Sequence, residues 1–220
     1  MLVMSYLGLE TIRRGTSADC IKDIFTIVFP EAKMVADVTF GTGRFWKWDH
    51  SLKVIGFDIE PQVKDTIRAD YRRVPLGSKS VDVLVFDPPF IWTPGLNRII
   101  GTKRFFTGSE PVTADKRKWS KEEIVKPTSY QDLLAHTWIV MEQAKDIARQ
   151  GVILKGQNLI DNKPLWWTYD VMKLGEELGY GRPYDMLLQH STSHRMKDPR
   201  WKQQYHFRRA HCYYVCYKFV

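Results

Sequence analysis

The stretch from Val81 to Trp92 reads VDVLVFDPPFIW. Its first six residues describe a short apolar strand of the kind that is covered on both faces. Asp87 stands where that strand ends, and Pro88 and Pro89 carry no N–H, so the hydrogen-bond ladder cannot continue through them. Their carbonyl groups still accept. An acid beside a proline-fixed carbonyl is a rigid pair of acceptors suited to an exocyclic NH₂ group, and the ring of Phe90 can stack on a planar base.

Working upstream, MVADVTF followed by GTG reads as a buried strand that runs into a glycine turn. This puts an acid, Asp37, at the carboxyl end of a strand, followed by Thr39, Phe40, Gly41 and Gly43, where a ligand can meet bare backbone. A dinucleotide fingerprint would need a third glycine at position 46; Trp46 is there, which disfavours a pyrophosphate on the following turn. KVIGFDIEP is a second apolar strand closing on Asp58 and Ile59, and a carboxylate at that point can accept both hydroxyls of a ribose. IRADYRRVPL then supplies Asp70 and Tyr71 ahead of the strand that begins at Val81. Short apolar strands separated by helix-length connections imply an α/β fold with a mostly parallel sheet covered on both faces.

The remaining elements follow from periodicity and caps. TSADCIKDIFTIVFPEA offers a Ser or Thr cap, apolar Ile21, Ile24, Phe25 and Val28 at helical spacing, and Pro30 as a stop. TSYQDLLAHTWIVMEQAKDIARQG predicts a helix capped by Ser129, with Asp132 in its first turn, Leu134, Trp138, Met141 and Ala148 along one side and Gly151 past its end. VILKGQ is a strand, and KPLWWTYDVMKLGEELG another helix, whose stripe of Trp166, Tyr169 and Met172 is expected to face the core. YDMLLQHS and AHCYYVCYKFV are two last strands, expected to pair as an antiparallel hairpin.

At 220 residues, 44% of them hydrophobic, the chain can bury a sizeable core and suits one domain, residues 1–220, with insertions. No apolar stretch approaches a membrane span, and the N-terminus lacks the basic start of a signal peptide, so an intracellular, cytoplasmic protein of a prokaryote or virus is expected. Cys20, Cys212 and Cys216 include no CxxC pair and are expected to be buried free thiols. His190 and His194 have zinc-like spacing but no second ligand pair, so no metal is expected.

The charge of +8 is local. Between residues 91 and 127, Arg98, Lys103, Arg104, Lys116, Arg117, Lys118, Lys121 and Lys126 outnumber four acids; between 190 and 210, Arg195, Lys197, Arg200, Lys202, Arg208 and Arg209 face Asp198 alone. Tryptophan, tyrosine and phenylalanine lie among them. Clustered cations with interleaved aromatics suit a polyanion with stackable bases.

DVTFGTG, GFDIE, ADYRRVP and FDPPF stand in the order and spacing of the amino-directed S-adenosylmethionine-dependent methyltransferases, the family that methylates adenine N6 or cytosine N4 in DNA. The chain resembles that family from about Met34 to Leu159 and again in its final strands. The resemblance implies a Rossmann-like, mostly parallel seven-stranded sheet with an antiparallel last strand and helices on both faces. It implies S-adenosyl-L-methionine as cofactor, with the methionine part near Asp37, Thr39, Phe40, Gly41 and Gly43, the ribose on Asp58 beside Ile59, and the adenine near Asp70 and Tyr71. It implies that Asp87, Pro88, Pro89 and Phe90 receive the target amine, Phe90 standing where tyrosine is commoner.

DNA is then the expected partner, held by Arg98, Lys103, Arg104, Lys116, Arg117 and Lys118 and by Arg195, Lys197, Arg200 and Lys202. Adenine N6 is favoured as target, while cytosine and an RNA amino group stay open, as does a catalytically silent binding subunit. A nicotinamide oxidoreductase meets the objection of Trp46 and leaves the DPPF motif unexplained. The two insertions, 37 and 21 residues long, are short for a target-recognition domain, so a homodimer or low sequence specificity is expected, and a restriction–modification nuclease partner stays open.

Overall fold

The structure, a computed structural model, describes residues 8–89, 127, 129–161, 163–190 and 211–219. Ten strands and three α-helices account for most of them. In chain order they are β1 (Ile12–Arg14), α1 (Ser17–Ile27), β2 (Met34–Asp37), β3 (Lys53–Asp58), β4 (Ile67–Arg68), β5 (Val81–Phe86), α2 (Tyr130–Ile147), β6 (Ala148–Gly156), β7 (Leu159–Asp161), β8 (Lys163–Leu165), α3 (Trp167–Glu177), β9 (Asp185–His190) and β10 (His211–Lys218).

Eight strands form one sheet in the order β1-β9-β10-β6-β5-β2-β3-β4. Every neighbouring pair in it is parallel except those of β10, which runs antiparallel to both β6 and β9. The expected antiparallel last strand and terminal hairpin are therefore present. The expected count of seven becomes eight because Ile12–Arg14 adds a short edge strand parallel to β9; its sequence is too brief and too charged to show alternation.

The apolar strands are buried on both sides, as their continuous hydrophobicity requires. Val83 and Val85 of β5 face α1, whose Ile21, Ile24 and Phe25 complete one core. Leu84 and Phe86, one residue out of phase, face α2 and α3 through Leu133, Met141 and Trp167. Helix α1 begins at Thr16, where side chain and backbone form a reciprocal capping box with Asp19. Ser129 caps α2 as its sequence predicts, accepting from the N–H of Asp132.

Three local expectations are corrected. Helix α2 stops at Ile147, and Ala148 opens β6 by pairing with Val81, so Gly151 lies inside a strand. Sheet pairing outweighs helical propensity there. The buried side of α2 runs through Leu133, Thr137, Val140, Met141 and Ala144, one residue out of step with the expected stripe of Leu134 and Trp138. Helix α3 starts at Trp167, because Leu159–Asp161 and Lys163–Leu165 pair as the antiparallel strands β7 and β8. Its inner face is Trp167, Val171 and Gly175, while Trp166 and Tyr169 are more than half exposed. Trp167 fixes that rotation, since its indole lies flush against Gly156 of β6.

Cys20 and Cys216 are buried free thiols as expected, and Cys212 is half-buried. Burial pushes the Cys20 thiol up to about 12, so it carries no thiolate at neutral pH. Among the described residues no helix is long and apolar enough to cross a membrane.

Candidate active site

The chain proceeds outward from β2 through β3 to β4, then crosses back to place β5 on the other side of β2. This reversal makes the carboxyl ends of β2 and β5 the switch point of the sheet, where open α/β folds usually form a ligand crevice. Asp37 ends β2, Asp58 ends β3 and Asp87 follows β5, so the three acids read from separate motifs converge there.

Asp37 is 2% exposed, yet both its oxygens accept: Oδ1 from the N–H of Thr39 at 3.1 Å and Oδ2 from the indole of Trp46 at 2.8 Å. The residue that denies this loop its third glycine thus serves as a donor to the buried acid. Burial pushes the Asp37 carboxyl up to about 7; the two N–H donors oppose the shift, and the negative charges of Asp87 and Asp58 add to it.

Gly41 and Gly43 have φ of +54° and +67°, left-handed conformations that favour glycine. The Gly41 N–H donates to Asp58 Oδ2 at 2.8 Å, and the Glu60 N–H to Oδ1 at 2.9 Å. Asp58 therefore organises the glycine turn and its own loop while staying half-buried at the crevice. Phe40 is anchored by its N–H to the Phe57 carbonyl, with its ring over Gly56, where no side chain intervenes.

The Asp70 carboxylate accepts from both the backbone and the guanidinium of Arg72, which together hold it below the usual carboxylate range against the effect of burial. Tyr71 is buried against Phe86, and its hydroxyl lies 2.8 Å from His136 Nδ1. Ile59 is half-buried beside the same core.

Asp87 is held from the loop after β2 and from β6. Its N–H donates to the Thr39 hydroxyl at 2.7 Å, and its Oδ2 accepts from Lys155 Nζ at 2.8 Å. Pro88 is buried and Pro89 half-buried, so the kink is packed against the protein at its first proline and more open at its second. Burial disfavours the charge of Lys155, but Asp87, with Cys212 and Cys20 adding to it, raises the ammonium above its ordinary value. The sequence reading missed Lys155. Its signal is a lone cation in the apolar run VILKG, a placement that is rare without a partner. Phe90, Arg98, Lys103, Arg104, Lys116, Arg117, Lys118, His194, Arg195, Lys197, Arg200 and Lys202 lie outside the described residues.

The architecture matches a solved S-adenosylmethionine-dependent methyltransferase from Archaeoglobus fulgidus over 93% of this chain and 95% of that one, at 10% identity and a TM-score of 0.51. The chain has a methyltransferase fold. A methyltransferase from Aquifex aeolicus aligns over 92% and 98% of the two chains at 13% identity and a TM-score of 0.38. A Pyrococcus horikoshii protein, proposed to be an RNA methyltransferase, aligns over 93% and 81% at 14% identity and a TM-score of 0.42. No family model matches the sequence, and no curated protein does.

Proposed function

We propose that the protein is an S-adenosylmethionine-dependent methyltransferase that modifies the exocyclic amine of a base in DNA, with adenine N6 as the target. The observation that carries this reading is that Asp87 and the two prolines follow β5 at the switch point of the sheet, with the Asp87 N–H bonded to Thr39 of the loop after β2.

The crevice suits the cofactor chemically. It is acidic, which matches a sulfonium and an ammonium, and its glycine backbone is bare: a Cβ built at Gly41 would meet nothing nearer than the Thr39 carbonyl at 4.0 Å. Gly41, Gly43, Thr39 and Phe40 would border the methionine part beneath Asp37. Asp58 keeps lone pairs for ribose hydroxyls, and Asp70, Ile59 and the edge of Tyr71 would flank the adenine. When bound, the cofactor supplies an activated methyl group, so the protein needs no nucleophile of its own.

What remains for the chain is orientation and charge. The target nitrogen is a weak nucleophile because its lone pair is delocalised into the ring. Acceptors at Asp87 and the Pro88 carbonyl favour pyramidalisation there and stabilise the positive charge that develops on transfer. Acceptors so placed are worth on the order of a few kcal/mol, or about a hundredfold in rate or more. A paired base cannot offer its amine to such a slot, so the nucleotide leaves the duplex, Phe90 taking over part of its stacking and the basic segments holding phosphates.

The test is transfer of labelled methyl groups to DNA followed by nucleoside mass spectrometry. N6-methyladenine is the expected product. Asp87→Ala combined with Lys155→Met, so that no lone charge stays buried, abolishes transfer while binding of S-adenosylhomocysteine persists. Label found only in RNA overturns the substrate, and no label with no cofactor binding overturns the enzyme.

A further inference from the structure

We propose that Lys155 is a positioning residue for the transfer, anchoring Asp87 Oδ2 so that Oδ1 is the oxygen offered to the target amine; this rests on the reading of the site given above. The pairing is built into the sheet. Phe86 of β5 stands opposite Leu154 of β6, so the next residues in step are Asp87 and Lys155, one just past its strand and the other still within its own. Their side chains meet at 2.8 Å.

Lys155 is itself immobilised. Its Nζ lies 4.9 Å from the centre of the Phe45 ring and 5.7 Å from that of Tyr214. Its side chain is only 11% exposed, against 24% for Asp87. The cation is therefore sealed behind aromatic faces, while the carboxylate it grips remains within reach of a ligand. Among the described residues Oδ2 accepts from Lys155 and Oδ1 has no partner.

Rotation of the carboxylate would exchange its two oxygens and blur the acceptor geometry, and a buried ammonium bound to one oxygen removes that freedom. The Thr39 hydroxyl fixes the other end of the residue, at the backbone N–H.

The test is a double-mutant cycle of Lys155→Met and Asp87→Asn, read in methyl transfer and in unfolding of the unliganded protein. Methionine keeps the length and apolar contacts of the lysine stem, and an asparagine amide requires no counter-charge. With Asp87 present, Lys155→Met is expected to lower kcat by about thirtyfold or more, leaving KM for the methyl donor and Kd for S-adenosylhomocysteine within about threefold. In the Asp87→Asn background the same replacement should change kcat by less than about threefold. The unfolding midpoint should fall in Lys155→Met and recover in the double variant, because the uncompensated charge is gone.

Equal losses of kcat in both backgrounds, or a loss confined to KM for the donor, would overturn the positioning role while leaving the enzyme reading intact. A wild type that methylates neither DNA nor RNA overturns both.

Discussion

The indole N–H of Trp46 donates to Oδ2 of Asp37 across 2.8 Å, joining the loop after β2 to the acid that ends it. Trp46 also packs on Phe25 of α1, with ring centres 5.9 Å apart, so one side chain links the crevice to the helix that covers one face of the sheet. With the Thr39 N–H on its other oxygen, each oxygen of the buried Asp37 accepts one hydrogen bond.

Its titration sets a pH dependence. Burial lifts the Asp37 carboxyl from 3.8 to about 7, so between those values the folded protein holds a proton that the unfolded chain has lost. Stability contributed by that proton is present at low pH and is lost as pH rises through the window, levelling off above about 7. Chemical denaturation of wild type and Asp37→Asn across this range should show wild type losing on the order of a few kcal/mol relative to the variant as pH rises. Parallel curves would mean that Asp37 ionises normally.

Asp58 accepts two backbone N–H groups, from Gly41 and Glu60, so its loss releases both loops that border the crevice. Asp58→Ala should weaken S-adenosylhomocysteine binding by about ten- to a hundredfold in calorimetric titration, through lost ribose contacts and a loosened glycine turn. A change below twofold would remove Asp58 from the cofactor site.

Gly56 leaves room for Phe40. A Cβ there would sit 2.5 Å from the Phe40 ring, so Gly56→Ala must push that ring and the turn that carries it. We expect about 1–3 kcal/mol of destabilisation and weaker cofactor binding, measured by thermal unfolding and titration. Gly77→Ala, where nothing lies within 4 Å, should do neither.

Tyr71→Phe separates packing from hydrogen bonding. The ring stays against Phe86 and His136, 5.1 and 5.7 Å between centres, while the hydroxyl's hydrogen bond to His136 is lost. Burial, and secondarily the charge of Arg72, lowers the His136 pKa and favours the neutral ring in the folded state. At pH 7 the substitution should cost about 1 kcal/mol in denaturant unfolding. No loss would show that water replaces the hydroxyl at no cost.

The apolar strands, the capped helix after Thr16, the glycine turn and the acid-proline kink were legible in the sequence because each is local: a run of β-branched residues, a cap, or a missing N–H acts on its own neighbours. The rotation of α3 was not, since the exposed Trp166 and buried Trp167 differ only in which meets the bare surface of Gly156. Nor was the β7–β8 hairpin, where Pro164 reads equally well as a helix start.

The same division runs through the site. Sequence alone determined that acids and glycines stand at strand ends in the order of a methyltransferase. Only the tertiary structure decided that Asp87 is held by Thr39, 48 residues earlier, and by Lys155, 68 residues later. Those contacts depend on which strands lie side by side and in what register, and pairing of that kind is settled by burying both faces of the whole sheet, which no single segment specifies.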